Sequence, residues 1–261
     1  MLVDLHNHTS RCKHAVGTPR EYLDRAVLFG IDVYGFADHA PLWYFDEEYR
    51  MGREELEEYE REIRQLAAEY RHRIEVLVGY EVDFTPRSKF FNPILDRPVD
   101  YLIGSVHFLD RWGFDNPKFI HLWRERDVDE VYREYFEVVL EMVKSGHFQI
   151  VGHIDLVKVF GYRPSVKCEE LVAPVLEEAK RRGVAVELNS AGWRKPVREQ
   201  YPSEEILGLM REVGVDITFG SDAHSPDQVG YRLEELVQLA KKFGWREGVY
   251  FKNKRPVKFP L

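Results

Sequence analysis

Residues 4–15 read "DLHNHTSRCKHA" and place His6, His8, Cys12 and His14 close together in a chain with only ten histidines among 261 residues. Imidazole is the commonest metal ligand in proteins. In a strand, residues i and i+2 face the same side. His6 and His8 therefore project together just beyond the apolar run "MLVDL" (1–5), with Asp4 below them on the same face. Comparable groups follow each later apolar run: Asp38-His39 in "FADHA", Glu81 in "GYEVD", His107 in "GSVHF", His153 in "VGHID", Asn189 in "ELNSAG", and Asp222 with His224 in "GSDAH".

One histidine after a strand is ordinary. Recurrence at the same end of successive strands points to a shared site. Six or seven histidines with Glu81, Asp222 and Asp38 exceed one ion, since zinc takes about four ligands. A cluster of two or three metals bridged by a carboxylate follows. Imidazole and carboxylate without thiolate suit Zn, Fe(II) or Mn(II). Cys12 is read as a bystander, because nothing else in the constellation is sulfur. His14 lies six loop residues beyond His8. His72, His121 and His147 sit in charged or loop contexts outside the pattern.

The elements that must position these groups alternate in type. Strand-like runs occupy 1–5, 32–36, 74–80, 100–105, 148–152, 184–188 and 215–220, and helix-like stretches occupy 19–29, 53–72, 128–144, 167–182, 203–213 and 228–243. Thr18-Pro19 and Ser203 read as helix starts, and Gly146, Gly183, Gly214 and Gly244 as ends. Segments 85–99 and 106–127 read as loops. Seven strands alternating with helices indicate a parallel α/β fold. An open sheet would spread seven strand ends along a line, whereas a barrel converges them on one mouth. The site therefore favours a distorted (β/α)7 barrel, TIM-like, as a single domain over 1–261.

The formal net charge is −8, and no basic stripe is present. That argues against nucleic-acid and anionic-membrane partners. The exception, "KNKRPVK" (252–258), reads as a solvated terminus. No apolar run reaches the roughly 18 residues of a membrane span, and no signal segment precedes the first strand. Two cysteines form no framework. A cytoplasmic protein with reduced thiols is expected; its oligomeric state is left open.

"DLHNHT", "FADH", "GYE", "GSVH", "VGHID" and "GSDAH", in that order, resemble the PHP (polymerase and histidinol phosphatase) superfamily over nearly the whole chain. "SRCKHA", "GSVHFL", "HIDLVKVFG" and "ELNSAGWRKP…YPS" resemble its branch of stand-alone histidinol-phosphate phosphatases. The resemblance implies a distorted (β/α)7 barrel with three divalent metal ions. One would take His6, His8, Glu81 and Asp222, and a second Glu81, His107 and His153, with Glu81 bridging. The third would take His14, His39 and His224. Asp38 then falls outside the ligand set and orients a neighbouring imidazole.

The implied chemistry is hydrolysis of a small phosphomonoester, histidinol phosphate, by attack of a hydroxide held between metals. Asp222 or a histidine of the cluster, such as His224, would protonate the departing alkoxide. Arginine's fork suits phosphate oxygens. Arg163 ("FGYRPS") and Arg194 ("GWRKP") follow the fifth and sixth strands and are expected over the mouth, with Lys158 and Arg198 as weaker candidates. Trp43, Tyr44, Phe45, Phe108, Tyr162 and Trp193 could wall a pocket for an imidazole ring. The rival readings are a PHP phosphodiesterase or nuclease acting on short single strands, a non-catalytic metal-binding module, and an amidohydrolase-like barrel.

Overall fold

The computed structural model describes residues 1–42, 47–85 and 93–261. Along the chain lie β1 (Val3–Asp4), α1 (Pro19–Leu28), β2 (Val33–His39), α2 (Leu56–Tyr70), β3 (Glu75–Asp83), β4 (Tyr101–Ser105), β5 (Phe108–Leu109), β6 (Trp112–Gly113), α3 (Val128–Ser145) and β7 (Ile150–Val151). After them come α4 (Cys168–Arg182), β8 (Ala185–Asn189), α5 (Glu204–Val213), β9 (Ile217–Gly220), α6 (Leu233–Lys242), β10 (Glu247–Lys252) and β11 (Arg255–Pro260).

The expected caps form. Thr18 and Glu21 make a reciprocal capping box with Pro19 at the first helical position. The Ser203 hydroxyl accepts from Ile206 N. Gly146, Gly183 and Gly214 end their helices in the left-handed conformation.

Seven strands pair in parallel in the order β1-β2-β3-β4-β7-β8-β9. Their residues are almost all buried, as a sheet covered on both faces requires. The barrel closes through the segment just past β1. Leu5 N donates to Phe219 O (2.9 Å), Asp222 N to His6 O (2.7 Å) and His8 N to Ala223 O (3.0 Å). Buried Asp4 fastens that seam by accepting from Ser221 N (2.8 Å) and Ser221 Oγ (2.6 Å). Tyr101 fills the centre, its hydroxyl donating to Leu5 O (2.6 Å). A Cβ on Gly35 would sit 2.0 Å from that hydroxyl, so β2 needs a glycine there.

The order matches the expected distorted barrel, and three local expectations change. "KNKRPVK" is no solvated terminus; it forms the turn and return strand of the β10–β11 hairpin. The tip is tied to the opposite end of the barrel from the strand C-termini, with Lys254 N donating to Asp100 O (2.7 Å) and Lys252 Nζ 2.6 Å from Glu75 Oε1. Phe251 and Phe259, on opposite faces of the hairpin by register, are both buried. Segment 106–127 holds the β5–β6 hairpin and a 3₁₀ stretch, Pro117–Glu125. The last long helix starts at Leu233 rather than 228, because Gly230 and Arg232 take positive φ. No helix among the described residues is long and apolar enough to cross a membrane.

Candidate metal centre

β2 ends on His39, and His6, Glu81, His107, His153 and Asp222 sit at or just past the ends of β1, β3, β4, β7 and β9. The barrel brings all of them together, with His8 and His224. His14 returns from the first loop to join them. Seven imidazoles form a closed circuit: successive ring centroids along His6–His8–His224–His14–His39–His107–His153 and back to His6 lie 4.0–5.6 Å apart.

Glu81 stands inside that circuit. Its Oε1 faces His153 Nε2 (2.9 Å) and His107 Nε2 (3.5 Å). Its Oε2 faces His39 Nδ1 (2.9 Å), His6 Nε2 (3.3 Å) and His8 Nε2 (3.7 Å). One carboxylate thus serves two groups of imidazoles, the arrangement a bridging ligand needs. Asp222 Oδ1 lies 3.1 Å from His8 Nε2 and 3.5 Å from His224 Nδ1. Asp222 has φ 54°, a sparsely populated conformation that aspartate tolerates. Its backbone is held on both sides, by the His6 carbonyl and by Arg194 Nη2, which donates to Asp222 O (2.9 Å).

The far nitrogens of several rings are also held. His6 Nδ1 lies 2.8 Å from Glu187 Oε1, and His107 Nδ1 2.6 Å from Asp83 Oδ1. Arg50 in turn grips Asp83 through Nε (2.6 Å) and Nη2 (3.0 Å). His8 Nδ1 is 3.4 Å from Asp38 Oδ1, and His14 Nδ1 is 2.9 Å from Cys12 O. Such partners fix ring orientation and aim the second nitrogen at the centre.

Burial pushes Glu81 and Asp222 up, but the surrounding imidazoles outweigh it and hold both well below the usual carboxylate range. Both are therefore anions. Burial pushes His39, His14 and His224 down, leaving three neutral imidazoles with free lone pairs.

These residues fit a metal cluster. Buried His6 Nε2 and His39 Nδ1, both turned towards Glu81, have no hydrogen-bond partner among the described residues, which is costly unless a cation satisfies such a site. Ligand atoms of His6, His8 and Glu81 lie within 4.8 Å of one another, as do those of His6, His153 and Asp222, and those of His8, His39 and His224. Cys12 Sγ belongs to two further such groups, with His14 and His224 and with His8 and Asp38, but donates to Thr9 O (3.1 Å).

The cluster floors a pocket of about 430 Å³. Phe108, Phe119, Asp115, Lys195 and Tyr201 line its walls. The expected arginines do not. Arg163 lines a different cleft and pairs with Glu199 (2.6 Å), which draws it away from the histidines. Arg194 turns its guanidinium to the carbonyls of Ser221 and Asp222. Lys158 is buried against Gln200 O, Asp155 and Glu199. Arg198 is exposed. Of the aromatics, Phe108 lines the pocket, Tyr162 stacks on Trp123, and Trp193 lies under Arg232. Trp43, Tyr44 and Phe45 lie outside the described residues. His72, His121 and His147 are exposed and apart from the cluster.

Sequence reasoning missed Glu187, Asp83 and Arg50. Two of them carried a signal: Glu187 interrupts the apolar run "VAVEL" two positions before Asn189, and Asp83 follows Glu81 by two, on the same strand face.

Residues 4–191 match the PHP domain family. The chain is 41% identical over 258 residues to a probable histidinol-phosphatase of Deinococcus radiodurans, covering 97% of this chain and 98% of that protein. It is 30% identical over 264 residues to the histidinol-phosphatase of Bacillus subtilis, covering 90% and 98%. In fold it is similar to the histidinol phosphate phosphatase of Lactococcus lactis complexed with Zn, L-histidinol and phosphate, with a TM-score of 0.84 at 24% identity over 98% of each chain.

Proposed function

The chain belongs to the PHP domain family, and from that premise we propose that it is a histidinol-phosphatase, hydrolysing L-histidinol phosphate to L-histidinol and phosphate. The observation that carries this reading is Glu81 at the centre of seven imidazoles, on the floor of a pocket sized for a small molecule. The enzyme is a metal-dependent phosphomonoesterase, and the proposed centre takes three divalent ions. His6, His8, Glu81 and Asp222 would hold one; Glu81, His107 and His153 a second; His14, His39 and His224 the third. Such ions neutralise phosphoryl charge and supply a hydrolytic water that ionises near neutral pH.

The chain's own residues do the rest. Glu187, Asp83 and Asp38 hold His6, His107 and His8 in register. Asp222 and His224, 3.5 Å apart at the pocket floor, are the groups proposed to take up the proton released by the attacking water and pass it to the departing alkoxide. Arg194 acts through Asp222 by fixing its backbone. Arg163 is assigned to structure, and Lys195, on the pocket wall, is given the role first expected of the arginines. Asp115 on the wall suits a cationic part of the substrate. A small enclosed pocket and a net charge of −8 fit a small-molecule substrate rather than nucleic acid. The proposal places the protein in the cytoplasm as one catalytic domain, 1–261, its two cysteines free.

The test is a substrate panel of L-histidinol phosphate, a nitrophenyl phosphodiester and a short oligonucleotide. Phosphate release from L-histidinol phosphate should exceed turnover of the other two by at least about a hundredfold in kcat/KM. Preference for either diester would replace this reading with the phosphodiesterase one.

A further inference from the structure

Tyr201 lines the same pocket and is 1% exposed, yet its hydroxyl has no hydrogen-bond partner among the described residues. Leaving a buried donor unmade is costly, so such a group in a ligand pocket needs an explanation. The ring itself is firmly placed. It meets the His153 ring edge-on at 6.2 Å, and the Lys158 ammonium lies 5.3 Å from its centroid. Main-chain bonds fix the residue as well: Tyr201 N donates to Asn189 O (2.9 Å), and Asn189 N to Tyr201 O (2.6 Å). This locks Tyr201 to the end of β8, beside the strand ends that carry the ligands. Gly192 supports the approach, since a Cβ there would stand 3.1 Å from a Tyr201 ring carbon and 1.9 Å from Glu199 O.

A phenol with a neutral oxygen donates one hydrogen bond. Here the ring is held by backbone and packing, and only the hydroxyl is unspent. We infer that the Tyr201 hydroxyl donates to a phosphoryl oxygen of the bound phosphomonoester. It would make Tyr201 a substrate contact additional to the metal ligands, and one that no charge pattern in the sequence marks. The inference rests on the phosphatase reading only in taking a phosphoryl group as the occupant.

The experiment compares metal-loaded wild type with Tyr201→Phe, which keeps the ring and removes only the oxygen. Two readouts are taken: the affinity for inorganic phosphate, and kcat/KM for L-histidinol phosphate and for p-nitrophenyl phosphate. The phosphate affinity should fall about tenfold, and kcat/KM for both monoesters about ten- to a hundredfold. Metal content and Tm should stay at wild-type values, because the hydroxyl bonds nothing among the described residues. Tyr34→Phe is the control: its hydroxyl is also buried without a partner, but Tyr34 lies in β2 and lines none of the described pockets. It should change neither readout. Phosphate affinity within twofold of wild type in Tyr201→Phe would overturn the inference. So would a fall in Tm or metal content, which would assign the hydroxyl to the fold. Loss of activity on L-histidinol phosphate by the wild type, with p-nitrophenyl phosphate still hydrolysed, would refute the substrate and leave the phosphate arm to judge Tyr201.

Discussion

Glu187 Oε1 lies 2.8 Å from His6 Nδ1, and its Oε2 accepts from His153 N at 2.9 Å. One buried carboxylate on β8 thus braces two proposed ligands from β1 and β7. Gly220 makes room for it, since a Cβ there would fall 2.1 Å from Glu187 Oε1.

Glu187→Gln should therefore weaken metal binding about ten- to a hundredfold, the usual effect of removing a ligand's orienting partner. Competition with a chelator measures it. Unchanged retention in Glu187→Gln would mean that His6 is held by packing alone.

Asp83 joins Arg50 to His107, and Arg50 is only 4% exposed. Asp83→Ala removes the carboxylate that grips both the buried guanidinium and His107. Denaturant unfolding should show a loss of about 3–5 kcal/mol. A loss under about 1 kcal/mol, with metal content intact, would contradict the role given to this chain of contacts.

Acid stability offers a test away from the metals. Burial pushes the Glu60 carboxyl up, but hydrogen bonds from Arg97, Arg64 and Tyr80 outweigh it and hold the group below its usual value. A depressed folded value contributes stability above the unfolded value of about 4.3, and that contribution is lost as pH falls through the folded one. Glu60→Gln should be less stable than wild type near pH 7, and the gap should close below about pH 4. A gap that is constant from pH 7 to 3 would show that Glu60 does not titrate differently on folding.

Cys12 Sγ donates to Thr9 O, and burial raises its thiol further above neutrality. Cys12→Ser should keep its full metal content and most of its activity. Elemental analysis of the variant decides the point, and loss of a metal equivalent would make sulfur a ligand.

The proposed ligands other than His14 were legible because each follows a short apolar run, and strand period places them on one side; His14 entered only through the family resemblance. The helix limits were legible where caps are strong, as at Thr18 and Ser203. Glu187 was hidden because one carboxylate in an apolar strand gives no partner by itself; the partner, His6, is 181 residues away. For Arg163, sequence shows that a cation follows a strand but not that Glu199 waits to pair with it. The C-terminal hairpin was hidden by its charges: four of the seven residues 252–258 are Lys or Arg, and only the fold shows that the segment turns and pairs back on β10.

The central claim is that the seven imidazoles, Glu81 and Asp222 form one polynuclear phosphatase centre. Metal-free protein should be titrated with a divalent metal while phosphate release from L-histidinol phosphate is followed. Activity should stay low through the first equivalent per chain and level off near three. Full activity at or below one equivalent would contradict the account.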